Sequence, residues 1–201
     1  MALAFVWAIG GMGAAQAQQC EDIHWVNYID YQGFDLLAQT GTDNALPAYG
    51  SSNWYLSESG DGVRNDGKYA ADDGTGGAGD TYSYGQAGSS DRALGTLRDD
   101  SLNSTFGACF VNRTSGTITS LEIVYTGEQW RSGASGRTDR LDFQYSLDAT
   151  GLGDGTWIDF DPLDFASLNT TAVGALDGNA APNREAQTGN IEGLSIPDGA
   201  R

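Results

Sequence analysis

The chain has 201 residues, with 27 acidic against 10 basic side chains and a formal net charge of −17. That length suits one domain with a sizeable core. A field of that sign repels phosphate backbones, so no direct nucleic-acid binding is expected. Lys68 is the one lysine, and an acidic, lysine-poor surface suits a protein that must stay soluble in salty water.

At the amino end, an apolar run over residues 2–9 precedes small residues and the triplet Ala15-Gln16-Ala17. This pattern predicts a signal peptide over residues 1–17, cleaved after Ala17. The run is shorter than the roughly 20 apolar residues of a membrane helix, and Gly10, Gly11 and Gly13 follow it. No membrane span is therefore expected after signal removal, and the mature chain, residues 18–201, is expected as a single domain of an exported bacterial protein, secreted or at the cell surface. Its two cysteines, Cys20 and Cys109, read as one disulfide in an oxidising compartment. The alternative is two free thiols, with Cys109 buried between Ala108 and Phe110.

Hydrophobic periodicity is two along most of the mature chain. Residues 121–125, 141–145 and 157–160 alternate apolar with polar, so each can bury one face. Residues 106–111 are nearly continuous in apolar and small side chains, as in a central strand covered on both faces. Further strands are expected at 23–28, 54–57, 81–84, 93–98 and 191–196. Many of the 29 glycines fall between these runs, where turns need them. The pattern predicts an all-β fold, a two-sheet antiparallel β-sandwich of jelly-roll type. Two long polar loops, 57–79 and 168–188, are expected. After residue 196 the chain ends on a turn, and a closing strand is expected to be missing.

Catalysis has little to build on. The single histidine, His24, stands alone where a nucleophilic triad or zinc site needs partners, and it reads as an ordinary strand residue. HExxH, CxxC, GxSxG and the phosphate-binding GxxxxGK[ST] pattern are absent. A pair of carboxylates, as in sandwich-fold glycosidases, is the remaining catalytic option. The acidic loop offers a calcium reading: Asp61, Asp66, Asp72, Asp73 and Asp80 lie close in sequence, separated by glycines. Calcium takes about six to eight oxygen ligands without strict geometry, though the spacing is not that of an EF-hand. Solvated turn carboxylates give the same pattern. For a glycan platform, exposed aromatic faces are the signal. Tyr82, Tyr84, Trp130 and the adjoining Arg131 are the candidates, with Trp54 and Tyr55. Trp130 is expected at a strand end, exposed, and the others in the core.

Several segments together carry a resemblance: Gly79-Asp80-Thr81-Tyr82-Ser83-Tyr84-Gly85 leading into Ser90-Asp91-Arg92-Ala93-Leu94-Gly95, Tyr125-Thr126-Gly127-Glu128-Gln129-Trp130-Arg131, Phe143-Gln144-Tyr145-Ser146-Leu147-Asp148-Ala149, and Ala175-Leu176-Asp177-Gly178-Asn179-Ala180-Ala181. Over residues 31–200 the chain resembles the jelly-roll accessory domain near the amino end of large secreted or surface-anchored bacterial proteins, some of them extracellular nucleases. The resemblance implies that catalytic residues lie in other domains, so none is carried to this chain. It also implies a copy truncated at its carboxyl end, since such domains continue past the Ile196-Pro197-Asp198-Gly199 turn with an aromatic strand and an aspartate-rich one. The expected role is a non-catalytic extracellular module that binds polysaccharide or an extracellular matrix protein, or serves structurally. The alternatives are an accessory segment of a secreted endonuclease/exonuclease/phosphatase-type nuclease and an autonomous glycoside hydrolase or lyase.

Overall fold

The computed structural model describes residues 20–24, 30–47 and 53–201, together with the backbone of residues 3–4. The segment read as a signal peptide otherwise lies outside the described residues, as does most of the strand expected at 23–28. The strands run in the order β1 (Leu3–Ala4), β2 (Glu21–Ile23), β3 (Trp54–Ser59), β4 (Tyr69–Asp72), β5 (Asp80–Tyr84), β6 (Ala93–Leu97), β7 (Asn103–Ala108) and β8 (Phe110–Asn112). They continue with β9 (Ile118–Glu128), β10 (Arg131–Ser132), β11 (Arg140–Leu141), β12 (Gln144–Tyr145), β13 (Ile158–Asp159), β14 (Phe165–Ala166), β15 (Gly174–Ala175) and β16 (Arg184–Ile196). The fold is an all-β sandwich with no closed barrel. Among the described residues no helix is long and apolar enough to cross a membrane.

The longest ladder pairs β9 antiparallel with β16, from Arg184 opposite Glu128 to Ile196 opposite Ile118. Along β9, Leu121, Ile123 and Tyr125 turn toward the core while Glu122, Val124 and Thr126 face out, the alternation read from the sequence. Near its end β16 bulges, and Gly193 takes φ 72° there, a conformation that favours glycine. Facing this ladder, β3 pairs antiparallel with β7, and β4, β5 and β6 form a second sheet. Trp54, Phe106 and Leu94 from these strands meet Leu121, Ile123 and Ile191 in one core, closed by Phe143 and Leu163.

Four expectations need correction. The strand at 141–145 is two, β11 and β12, because the backbone N–H of Phe143 donates to Asp164 Oδ1 at 2.8 Å instead of to a neighbouring strand. The run 106–111 breaks at Cys109, where the pairing partner changes: Cys109 N–H donates to Asn53 O and Cys109 O accepts from Glu21 N–H, both at 2.9 Å. The loop at 57–79 contains the end of β3 and all of β4. The loop at 168–188 contains β15, a 3-10 turn at Ala181–Asn183 and the start of β16. Beside the antiparallel ladders of the sandwich, β4 runs parallel to β5, β2 to β8 and β1 to β7.

The cysteines form one disulfide, Cys20–Cys109, at a sequence separation of 89. It sits at the switch point between β7 and β8 and fastens the β2–β8 pair to the main sheet. Closing a loop of that size is worth roughly 4 to 5 kcal/mol in the chain-entropy model. The double variant Cys20→Ser/Cys109→Ser is expected to lose stability of about that size, read from urea unfolding against the oxidised wild type; an unchanged midpoint contradicts this.

Candidate functional site

Burial on β5 is continuous: every residue from Asp80 to Tyr84 is buried, as a strand covered on both faces requires. Its two rows differ in chemistry. Thr81 and Ser83 face polar partners: Thr81 Oγ1 donates to Glu58 Oε1 at 2.7 Å, and Ser83 Oγ donates to Ala38 O at 2.9 Å. Arg92, only 4 % exposed, donates Nε to Ser83 Oγ at 2.9 Å and Nη2 to Ser83 O at 2.5 Å. Tyr82 and Tyr84 form the other row with Ala70, against Trp130.

This second row carries the site. The Tyr82 and Tyr84 rings stack at 5.0 Å, and Tyr84 and Trp130 lie nearly parallel at 6.1 Å and 5°. Burial holds both phenols un-ionised, with Tyr82 pushed up to about 12 and Tyr84 well above its ordinary value. Tyr82 OH donates to Ala78 O at 2.8 Å. Trp130 Nε1 donates to Glu128 Oε2 at 2.9 Å, and Trp130 O accepts Leu176 N–H at 2.8 Å. Gly178 lies flat against the indole, where a methyl group would overlap the ring. The expectation of an exposed Trp130 is therefore corrected: it is 4 % exposed, held by a stack, a hydrogen bond and a glycine contact. With Tyr82 and Tyr84 also buried, these aromatics form a floor and not an open stacking face.

Above that floor a cleft of about 350 Å³ runs between the free edge of β6 and the end of β9 leading into β10. Tyr84, Trp130 and Phe165 contribute apolar surface, and Thr96, Thr126, Thr138 and Ser167 contribute hydroxyls. Four arginines, Arg98, Arg131, Arg137 and Arg140, line it against two carboxylates, Glu128 and Asp139. Arg131 Nη1 donates to Gly74 O at 3.0 Å and Thr75 O at 3.2 Å, which ties the cleft to the loop before β5. Arg137 Nε pairs with Asp139 Oδ1 at 2.7 Å, and Arg140 spans Asp142 and Asp164. Burial raises the Glu128 pKa, opposed by the Trp130 hydrogen bond and by Arg184. Gln129 and Asn169 exchange two bonds, Nε2 to Asn169 O at 2.8 Å and Asn169 N to Oε1 at 2.7 Å, fixing the far wall. A second opening, about 270 Å³, lies over Phe34, Trp54, Ile123 and Tyr125. These are core side chains, and Asp30, Gln32, Glu122, Ser146 and Arg201 line the same opening.

Of the residues singled out in the sequence, Trp130, Arg131 and Tyr84 meet at the cleft, and Tyr82 lies in the same stack without lining it. The five aspartates proposed for calcium do not converge. Asp72 caps its own loop through the N–H groups of Gly74 and Gly76, at 2.6 and 3.1 Å. Asp73 accepts from Thr75, Asp66 from Lys68 N–H, and Asp80 from Thr81 N–H while facing Arg64 at 3.0 Å. Asp61 is exposed. Among the described residues no group of three or more His, Cys, Asp or Glu side chains is placed to hold a metal ion. His24 is exposed and does not line the cleft. Sequence reading missed Arg98, Arg137 and Arg140, which come from two segments about 40 residues apart and share no motif. Comparisons with protein-family models, curated proteins and solved structures return no match.

Two outcomes follow. Gly178→Ala is expected to push the indole off Tyr84 and to cost about 1 to 3 kcal/mol, as overpacking does; unchanged stability and tryptophan fluorescence would contradict the contact. Burial, partly offset by Arg64, raises the Asp80 pKa from 3.8 to about 6, so the folded state holds this proton more tightly than the unfolded chain. The stability this contributes is fully present below pH 3.8 and is lost as pH rises through about 6. Asp80→Asn should flatten that decline in urea unfolding across the interval; an unaltered pH slope would contradict it.

Proposed function

We propose that this chain is a non-catalytic extracellular module, part of a larger secreted or surface-anchored bacterial protein, that binds a polysaccharide in the cleft between β6 and β10. The observation that carries the reading is the composition of that cleft: an apolar floor of Tyr84, Trp130 and Phe165 beneath hydroxyl and guanidinium groups. Sugar rings present apolar faces and polar rims, and such mixed surfaces suit them. The floor is rigid, because Trp130 is fixed on three sides, so little ordering cost attends binding.

Export is supported by the apolar leader and by the Cys20–Cys109 disulfide, a bond that persists in oxidising compartments. A binding role is favoured over bond cleavage because both carboxylates at the cleft are engaged. Glu128 accepts the indole N–H and Asp139 is ion-paired with Arg137, whereas a general acid and base must be directed at the substrate.

On a glycan array the purified chain is expected to bind at least one polysaccharide. Thr126→Trp, which places an indole in the cleft from an exposed position on β9, should abolish that binding at an unchanged melting temperature. A blank array, or binding indifferent to Thr126→Trp, overturns the reading, as does turnover of the bound polysaccharide.

A further inference from the structure

We propose that the ligand of this cleft is a carboxylate-bearing saccharide, a glycan containing uronic acid residues. The inference rests on the glycan reading above and adds the charge that the site selects.

The chain carries 10 basic residues against 27 acidic ones, yet four of its arginines gather at one cleft that holds only two carboxylates. Chance placement on so acidic a surface would surround each arginine with carboxylates. That is the situation of Arg137, paired with Asp139, and of Arg140, held between Asp142 and Asp164. The other two differ. Arg131 bonds the carbonyls of Gly74 and Thr75, neutral acceptors that orient the guanidinium without neutralising it. Arg98, exposed just beyond the end of β6, makes no hydrogen bond or ion pair among the described residues. One uncompensated guanidinium therefore stands on each wall, Arg98 beside β6 and Arg131 on β10.

A guanidinium presents a planar fork of donors that matches a carboxylate, and such charge-assisted bonds are about twice as strong as neutral ones. The volume, about 350 Å³, is near the lower end of small-ligand clefts, about 300 to 1,000 Å³. It fits one or two sugar rings. A long polyanion such as nucleic acid would need many phosphate contacts, and it would meet the acidic field outside the cleft. Between an acidic saccharide and an acidic peptide, the lining favours the saccharide. The hydroxyls of Thr126 and Thr138 have no partner among the described residues and face the same space, as hydroxyl-rich ligands require.

The test is titration calorimetry of the purified chain with digalacturonate, with its neutral counterpart digalactose and with a short aspartate-rich peptide, each repeated on Arg98→Gln. Arg98 has no partner to lose, so this variant is expected to melt with the wild type. Digalacturonate should bind at least about tenfold more tightly than digalactose, and Arg98→Gln should erase that preference. Equal affinity for the two disaccharides overturns the inference and leaves the glycan reading standing. Preference for the peptide, or acid binding that Arg98→Gln leaves intact, also overturns it. If neither disaccharide binds while the array shows a hit sensitive to Thr126→Trp, this inference alone fails; if the array is blank too, both fail.

Discussion

The indole of Trp130 joins the β4–β5–β6 sheet to the β9–β10 corner of the sandwich. On one side it stacks on Tyr84, in the centre of the β4–β5–β6 sheet; on the other it belongs to the turn between β9 and β10, and its N–H returns to Glu128 at the end of β9. Aromatic pairs of this kind contribute about 0.5 to 1.5 kcal/mol beyond their area. The larger consequence is geometric. The distance from the β6 edge to the β9–β10 corner sets the width of the cleft, and this contact fixes it. Gly178 sets a further limit, since any larger side chain there would overlap the ring.

Around this joint, polar groups are buried and matched in a way that differs from the main core. The face of β5 bearing Thr81 and Ser83 is satisfied by Glu58, Ala38 O and the buried Arg92. A buried donor or acceptor left unmade costs about 1 to 3 kcal/mol, so this network specifies one position for β5 between its neighbours. The apolar core, by contrast, is held by Trp54, Phe106, Phe143 and Leu163 and needs no such register. Asp80 stands at the edge of the polar network, largely desolvated beside Arg64, and it is one point where pH reaches the fold. The polar face of β5 and the apolar core are thus held by different physics, and the cleft lies on the other face of β5, where Tyr84 meets Trp130.

Much of the fold was legible because strands advertise themselves by alternation. Leu121, Ile123 and Tyr125 could be placed on one face from their spacing, and that face is the one in the core. The disulfide, too, followed from two cysteines and the expectation of an oxidising compartment. What escaped is what depends on partners remote in sequence. The strand at 141–145 divides because Asp164 takes the Phe143 N–H from 21 residues away. β4 hid inside a glycine- and aspartate-rich stretch because Tyr69 and Ala70 are both buried, so no alternation marks it. Trp130 gave the right address with the wrong exposure. Its place beside Arg131 at a strand end was visible, but the Tyr84 and Gly178 surfaces that bury it come from 46 and 48 residues away in opposite directions along the chain. The aspartates of the acidic loop were clear as a group. Their local turn and capping bonds, which scatter them, were not.

The cleft arginines were the least legible. Arg98, Arg131, Arg137 and Arg140 come from the end of β6, from β10 and from the segment leading into β11, and only the sandwich brings them to one opening. Backbone amide shifts recorded during a titration with the tightest-binding saccharide test that assembly most directly. Perturbations should concentrate on residues 93–98, 126–131 and 137–141, with the Trp130 indole N–H among the largest. Shifts gathered instead over Ile123, Tyr125 and Phe34, or no specific shifts at saturating ligand, would contradict the assignment of the binding surface to this cleft.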